Sequence, residues 1–433
     1  MKTFTLYRHL RFAVGIVGLS CVALPVLARD AESMHEMQRI IEAQQKQLET
    51  QQQQLDEQRQ LLQKLQTQME SLADDVETTE QGQVARIADH EQIVTSRGVD
   101  RVKLSISGWV NRAVNVVDDG KDTDAYFVDN DNSESRVDLR GAGKINDDLT
   151  LGSRIELTIA PDKAGNVNQN KTESGDVFDQ RITEMFLDSK RFGKVSLGKG
   201  HTASYGTASR DLSGTTVISY VTVSDTAGGM LFRQKDDDAL TNLRIVDAFQ
   251  SYDGLNRRSR LRYDTPVYNG LQFSTSFLTE QRYDAALRWG GQGYGFKAIG
   301  AAAVADPKQD DSDLQYDGSF SLLHEDTGLN LTLSAGLLER DKQSDGKNYY
   351  GKIGWLTRFF SFGDTAFSVD YGRTRNQPAE NDDGYTAGFA AVQSFEKFGS
   401  ELYFLYRKYS LDRDVEPSVY DIDVVSLGTR VKF

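Results

Sequence analysis

Thr150-Leu151-Gly152-Ser153-Arg154-Ile155-Glu156-Leu157-Thr158-Ile159 decides the fold. Written as an extended strand, it puts Leu151, Ile155, Leu157 and Ile159 on one face and Arg154, Glu156 and Thr158 on the other. The stretch Arg101–Val110 repeats the pattern: Val102, Leu104, Ile106 and Val110 share a face opposite Lys103, Ser105 and Asn111. From residue 101 onward, segments of about ten residues alternate in this way, the length at which a tilted strand crosses a bilayer. Two architectures use such strands. A soluble sandwich puts the apolar face in a core, whereas a transmembrane barrel puts it against lipid and the charged face in a watery lumen.

The connections favour the barrel. Short turns are expected at Asn146-Asp147-Asp148, Arg191–Lys194, Val267–Gly270, Gly290–Gly293, Phe362-Gly363-Asp364 and Glu396–Gly399. Between them lie longer acidic connections: Asp118–Glu134, Pro161–Asp179, Asp306–Asp313, Arg375–Gly384 and Leu411–Pro417. Short at one end and long at the other is the asymmetry of outer-membrane barrels. The C-terminus agrees, because Val425, Leu427, Thr429, Val431 and Phe433 form one lipid-facing row that ends in an aromatic girdle residue. The expected fold is therefore an all-β transmembrane barrel of sixteen antiparallel strands. The count becomes eighteen if the hairpin Gly229–Arg233 with Leu243–Tyr252 also spans the membrane.

Composition narrows the function. The 433 residues carry 64 acidic against 50 Lys and Arg, a formal charge of −14, and so offer no basic excess for nucleic acid. A hydrophobic fraction of 38% is poor for a large soluble enzyme, whereas 18 Tyr, 21 Phe and 37 Gly argue against wholesale disorder. Residues 1–28 read as a secretory signal peptide, with Lys2, Arg8 and Arg11 before an apolar stretch and a Val26-Leu27-Ala28 cleavage site. A short membrane anchor is the competing reading. Cys21, the sole cysteine, lies in this segment without a lipoprotein-type lead, so the mature chain is expected to hold no disulfide and no thiolate metal site. Cleavage takes three basic and no acidic residues, moving the formal charge to −17.

Residues 29–98 read as a periplasmic coiled coil and linker. Met34, Ile41, Leu48, Leu55, Leu62, Met69 and Val76 recur every seventh position. A straight helix has no reason to hold that period, which instead fits a supercoil. The companion positions Met37, Gln44, Gln51, Gln58, Leu65 and Leu72 are apolar at both ends and polar in the middle. Three strands are expected. A disordered Gln-rich spacer is the alternative, and the unbroken heptad weighs against it.

Three short pieces, in order, resemble Gram-negative trimeric porins. Ser135–Gly141 followed by Leu149–Ile159 resembles their second hairpin. Phe192-Gly193-Lys194-Val195-Ser196-Leu197-Gly198-Lys199 resembles the strand leading into their constriction loop. Arg262-Tyr263-Asp264-Thr265-Pro266 resembles the strand end that follows it, and the terminal Phe433 matches too. A coiled coil ahead of such a barrel resembles the DcaP-like porins and, more distantly, the phosphate-selective porins. The resemblance covers about residues 99–433. It implies a homotrimer of sixteen-stranded barrels, each with a pore narrowed by an inward-folded loop, here about residues 200–254. It also implies that Phe433, Val431 and Leu427 engage the outer-membrane assembly machinery.

The sharpest chemical feature is Arg258-Ser259-Arg260-Leu261-Arg262-Tyr263. Alternation puts Arg258, Arg260 and Arg262 on the face opposite Leu261 and Tyr263. Each arginine facing lipid costs ~2–4 kcal/mol at the midplane, so the three are expected to line the lumen as a ladder. Arg136, Arg140 and Arg154 are similarly phased. Such a ladder would guide carboxylates or phosphates, or it would be locked in a structural network with acids of the inserted loop. Asp211, Asp225, Asp236, Asp237 and Asp238 are the expected acidic partners. The acidic outer loops would form a cation-attracting vestibule, bridge divalent cations to lipopolysaccharide, or simply stay solvated. No P-loop, dinucleotide fingerprint, metal-ligand cluster or cofactor motif occurs, and His201 with Ser204 lacks a marked third member, so no enzyme is expected.

Two function classes remain. One is a water-filled channel for small hydrophilic solutes, leaning to anions. The other is a trimeric structural tether or adhesin between outer membrane and cell wall. With an even number of strands both chain ends are periplasmic, so a coiled coil ahead of the barrel would reach toward peptidoglycan rather than form a surface stalk.

Overall fold

The computed structural model describes residues 92–95, 102–175, 178–308 and 312–433, and the signal-peptide and coiled-coil readings lie outside them. Sixteen strands cross the barrel: β1 (Val102–Asp118), β2 (Arg136–Lys144), β3 (Leu149–Ile159), β4 (Phe178–Ser189), β5 (Gly193–His201), β6 (Arg257–Asp264), β7 (Leu271–Leu278) and β8 (Tyr283–Gly293), then β9 (Phe296–Ala305), β10 (Gln315–His324), β11 (Leu329–Leu338), β12 (Gly346–Phe360), β13 (Gly363–Arg375), β14 (Asp383–Phe395), β15 (Ser400–Asp412) and β16 (Ile422–Lys432). Each pairs antiparallel with the next, and β16 returns to β1 with Lys432 opposite Trp109 and Asp423 opposite Asp118. The sheet is closed, which removes the open edges that hydrocarbon does not tolerate. A short strand at Gln92–Thr95, inside the stretch read as coiled coil and linker, pairs with Lys103–Ile106.

Alternation holds around the barrel. Leu151, Ile155, Leu261, Val425, Leu427 and Val431 are exposed on the outer face, while Glu156, Arg260 and Ser426 on the opposite face are buried. The terminal residue completes the closure, since Phe433 exchanges backbone hydrogen bonds with Gly108 of β1 at 2.9 and 3.0 Å and leaves its ring outside. At the turn end, Phe360, Phe362 and Phe395 stack at 4.9 and 5.1 Å, as expected of an interfacial aromatic girdle.

Most of the expected turns and long connections fall where the alternation breaks. The turn read at Gly290–Gly293 lies wholly beyond that stretch: β8 continues through Gly293, and Tyr294 (φ 55°) with Gly295 (φ 77°) makes a two-residue turn with both dihedrals positive. The eighteen-strand alternative is overturned. Leu231–Arg233 pairs with Leu240–Arg244 in a separate two-stranded sheet inside a loop, and five residues are too few to cross a bilayer.

That loop, 202–256, joins neighbouring strands β5 and β6 but runs far into the barrel. Thr202 N donates to Asn256 O at 3.1 Å, so its two ends meet. Its anchors follow the inner wall from β8 to β15. Ser204 N donates to Asp284 at 2.8 Å, Arg210 N to Ser319 Oγ at 3.0 Å, Leu212 N to Ser321 Oγ at 3.0 Å, and Ser219 Oγ to Asp370 at 2.7 Å. Tyr409 Oη then donates to Val223 O at 2.6 Å. Val217, Ile218, Val221, Val223, Met230, Phe232, Ile245 and Phe249 of the loop pack with Ala390, Val392, Tyr403, Leu405, Tyr409, Ile422 and Val424 of the wall in one buried cluster. The β13–β16 side of the lumen is therefore filled by an apolar core. The inner faces of β2–β6 carry charge instead.

Candidate channel-lining site

The charged wall is built by register. Arg140 lies opposite Arg154, Arg154 opposite Glu184, Glu184 opposite Gly198 and Gly198 opposite Arg260, a row across five adjacent strands. One step toward the loops, Asp138 lies opposite Glu156. Arg154 donates to both Asp138 at 3.0 Å and Glu156 at 2.6 Å, and Arg140 donates to Asp138 at 2.8 Å while staying half exposed. Arg136 stacks over the Trp109 ring at 4.5 Å and reaches Glu156 at 3.4 Å.

Arg260 and Arg262, both expected to face solute, are saturated by the protein. Arg260 is 2% exposed in its side chain, pairs with Glu184, and donates to His201 O at 2.8 Å and Gly198 O at 3.0 Å. The run Ser196-Leu197-Gly198-Lys199-Gly200 makes room for it: a Cβ at Gly200 would sit 2.8 Å from Arg260 Nη2. Arg262 forks onto Asp264 at 2.6 and 3.0 Å and donates to Thr202 O at 2.8 Å. Arg258 is exposed and makes no ion pair among the described residues. Arg260 and Arg262 are thus locked by wall acids and backbone carbonyls rather than by acids of the inserted loop, and Arg258 alone of the three has no ion-pair partner among the described residues.

The acids expected to meet these arginines go elsewhere. Asp211 pairs with the fully buried Lys352 of β12 at 2.7 Å. Asp225 accepts from Tyr220 Oη within the loop. Asp238 pairs with Lys121 at 2.9 Å and accepts from Tyr420 Oη at 3.3 Å, at the hairpin turn that it shares with Asp236 and Asp237. The partners are wall acids instead: Asp264 lies two residues along β6 from Arg262 on the same face, and Glu184 lies two strands away at the height of Arg260, reached across the side-chain-free Gly198 of β5. Four further basic groups were not singled out by sequence reading. Arg181 sits at the bulge between Glu156 and Leu157 on β3 and bonds Glu156 and Glu134. Arg257 lies over the Tyr205 ring at 4.9 Å. Arg288 donates to Ala203 O at 2.5 Å and Tyr205 O at 2.9 Å. Arg407, fully buried, forks onto Asp370 at 2.7 and 2.8 Å. Only Arg407 left a sequence signal, as a single cation among Tyr403, Leu405 and Tyr409 on the inner face of β15.

Among the loop carboxyls that burial raises, Asp225 is shifted into the neutral range. Burial, reinforced by the nearby Glu134 carboxylate, pushes Asp225 up to about 7. The folded protein then holds this proton more tightly than the unfolded chain, so stability is full below about pH 4, falls as pH rises toward 7 and levels off above it. Asp225→Asn is expected to match the parent at the acidic end and to exceed it above neutrality by ~1–4 kcal/mol. Denaturant midpoints in detergent at pH values on either side of the shifted pKa would check this. An equal offset at both would refute it.

Against known proteins, residues 84–415 match the family model described as Gram-negative porin. No curated protein sequence matches the chain. The fold is similar to an anion-selective porin from Comamonas acidovorans, with 15% identity over 77% of this chain and 100% of that one and a TM-score of 0.51. It is also similar to in-vitro folded OmpT of Vibrio cholerae (12% identity, 79% and 100% covered, TM-score 0.51). The outer membrane channel DcaP of Acinetobacter baumannii is a third likeness (10% identity, 78% and 99% covered, TM-score 0.50). A closed sixteen-stranded barrel with an apolar exterior, an inward-folded loop after its fifth strand and a family match over most of its length make this chain a member of the Gram-negative porin family, an outer-membrane channel.

Proposed function

We propose that this porin is a homotrimeric diffusion channel that favours small anions, such as dicarboxylates or phosphate, along the wall of β2–β6. The observation that carries the reading is the division of the lumen. The loop core fills the β13–β16 side, while the opposite wall presents Arg136, Arg140, Arg154, Arg181 and Arg258 with fewer acids, chiefly Asp138, Glu156 and Glu184. Lining charge and width set which solute passes a water-filled pore, so surplus guanidinium on the open side favours anions even in a chain of net negative charge. The heptads of residues 29–98 would tie three barrels together in the periplasm and bring them near peptidoglycan. The acidic outer loops would meet lipopolysaccharide through divalent cations, and the row Leu427, Val431, Phe433 would be read by the assembly machinery.

Planar-bilayer recording of the purified protein in a potassium chloride gradient tests the reading. Conductance in steps of three with a chloride-directed reversal potential is the expected result, and Arg258→Gln should move that potential toward zero. A potassium-directed potential unaffected by the substitution would overturn the anion preference. Folded trimers without conductance would point instead to the tether.

A further inference from the structure

We propose that the loop-side mouth of the channel holds a saturable binding site for a small dianion of the phosphate or dicarboxylate class, built from Arg257, Arg258, Lys199 and Arg181. The inference rests on the anion reading above and adds to it a fixed site ahead of the arginine row. A cavity of about 250 Å³ is lined by Lys163, Arg181, Lys199, Asn256, Arg257 and Arg258, with Glu134 and Asp179 as its acids. All of these residues stand in the long loops or at the loop-side ends of β4, β5 and β6.

The charge balance of the cavity is open, unlike that of the row beneath it. Glu134 is already shared by Arg181 and by Lys163 at 2.8 Å, and Asp179 stands 3.8 Å from Lys199. Arg257 and Arg258 meet no carboxylate within ion-pair distance among the described residues. Arg257 spends one nitrogen on Asn256 Oδ1 at 3.0 Å and one on Tyr205 Oη at 2.8 Å, and its Nε is sheltered without a hydrogen-bond partner among the described residues. A sheltered donor on a charged group is costly to leave unpaired, and an anionic oxygen satisfies it.

The arrangement is also held in place. His201 stacks on Tyr205 at 4.2 Å with an interplanar angle of 17°, and Tyr205 in turn supports the Arg257 guanidinium from below. A guanidinium fixed on an aromatic face loses less freedom on binding than a mobile one, and its planar fork suits carboxylate or phosphate oxygens. Two positive charges lining one cavity, with no carboxylate partner among the described residues, favour a dianion over chloride. The volume admits a phosphate or a four-carbon dicarboxylate with a few waters at ~30 Å³ each.

The test uses the intact trimer in a planar bilayer, with chloride as the current carrier and inorganic phosphate as the probe, in mildly alkaline buffer where phosphate is mostly dianionic. Phosphate added on the loop side should reduce the chloride current along a saturating curve, whereas nitrate should give none. Arg257→Gln with Arg258→Gln should raise the half-blocking concentration by about tenfold or more. Lys199→Gln, further from the loop anchors, should shift it in the same direction by less and serves if the double variant does not assemble. A chloride-directed reversal potential without saturable phosphate block, or block that is unchanged in the variants, would overturn the site and leave the anion reading standing. A potential that is not chloride-directed would overturn the reading on which the site rests.

Discussion

Arg407→Met is expected to destabilise the porin by ~3–5 kcal/mol, because it leaves a carboxylate buried without its partner. Arg407 and Asp370 are both fully buried, bonded at 2.7 and 2.8 Å, and Gly388 leaves them space, since a Cβ there would lie 2.8 Å from Arg407 Nη2. Ser219 of the inserted loop bonds the same pair, donating to Asp370 at 2.7 Å and lying 3.3 Å from Arg407 Nη2. Losing the arginine therefore strands Asp370 and loosens the loop against β13 and β15 together. A lower denaturant midpoint in detergent, with larger and noisier single-channel currents, is the expected readout. Adding Asp370→Leu should recover most of the midpoint, because an apolar pair of similar volume avoids burying charge at all. An unchanged midpoint in Arg407→Met would show that the pair does not anchor the loop.

Excising the loop should have the largest effect on conductance. Thr202 and Asn256 are already hydrogen-bonded, so a two-residue Asn-Gly turn can replace residues 203–255 without moving β5 or β6. The sixteen-stranded ladder runs around the whole barrel without it, and a barrel of that size leaves an aqueous channel. Conductance should rise severalfold, and the reversal potential should fall toward zero as the path widens beyond the reach of the arginine wall. Lys352, Arg407 and Asp370 would then face water, so the charges released by the excision are solvated rather than stranded. Bilayer recordings of parent and excised barrel under the same salt gradient make the comparison. Equal conductance would mean that the loop does not narrow the pore.

The parts of the molecule legible in advance are those that depend on one strand at a time. Each spanning strand keeps lipid on one side, so Leu151, Ile155 and Ile159 had to alternate with Arg154 and Glu156, and Leu261 and Tyr263 with Arg260 and Arg262. The row ending at Phe433 was legible for the same reason, and so was the contrast between short turns and long loops. Whether Arg260 would be free or paired was not, because that depends on Glu184 lying two strands away at the same height. Arg181 escaped notice because its position relative to Glu156 is set by a bulge, which shifts the period by one residue.

One clue to the loop core was present in the sequence. Along β15, Tyr403, Leu405 and Tyr409 are apolar on the face that should be wet, while Leu402 and Tyr406 occupy the lipid side. A barrel strand apolar on both faces has something dry inside it, and here that is Val223, Phe249 and their neighbours. The sequence by itself determined the barrel, the orientation of its strands and the sign of the charge along β6, because each of these follows from the periodicity of a single segment in a two-solvent environment. Only the tertiary structure decided which arginines remain available to solute. That outcome rests on register between separate strands and on the path of a long insertion, and it leaves Arg257 and Arg258 with no carboxylate partner among the described residues, above a row in which most guanidinium groups are paired.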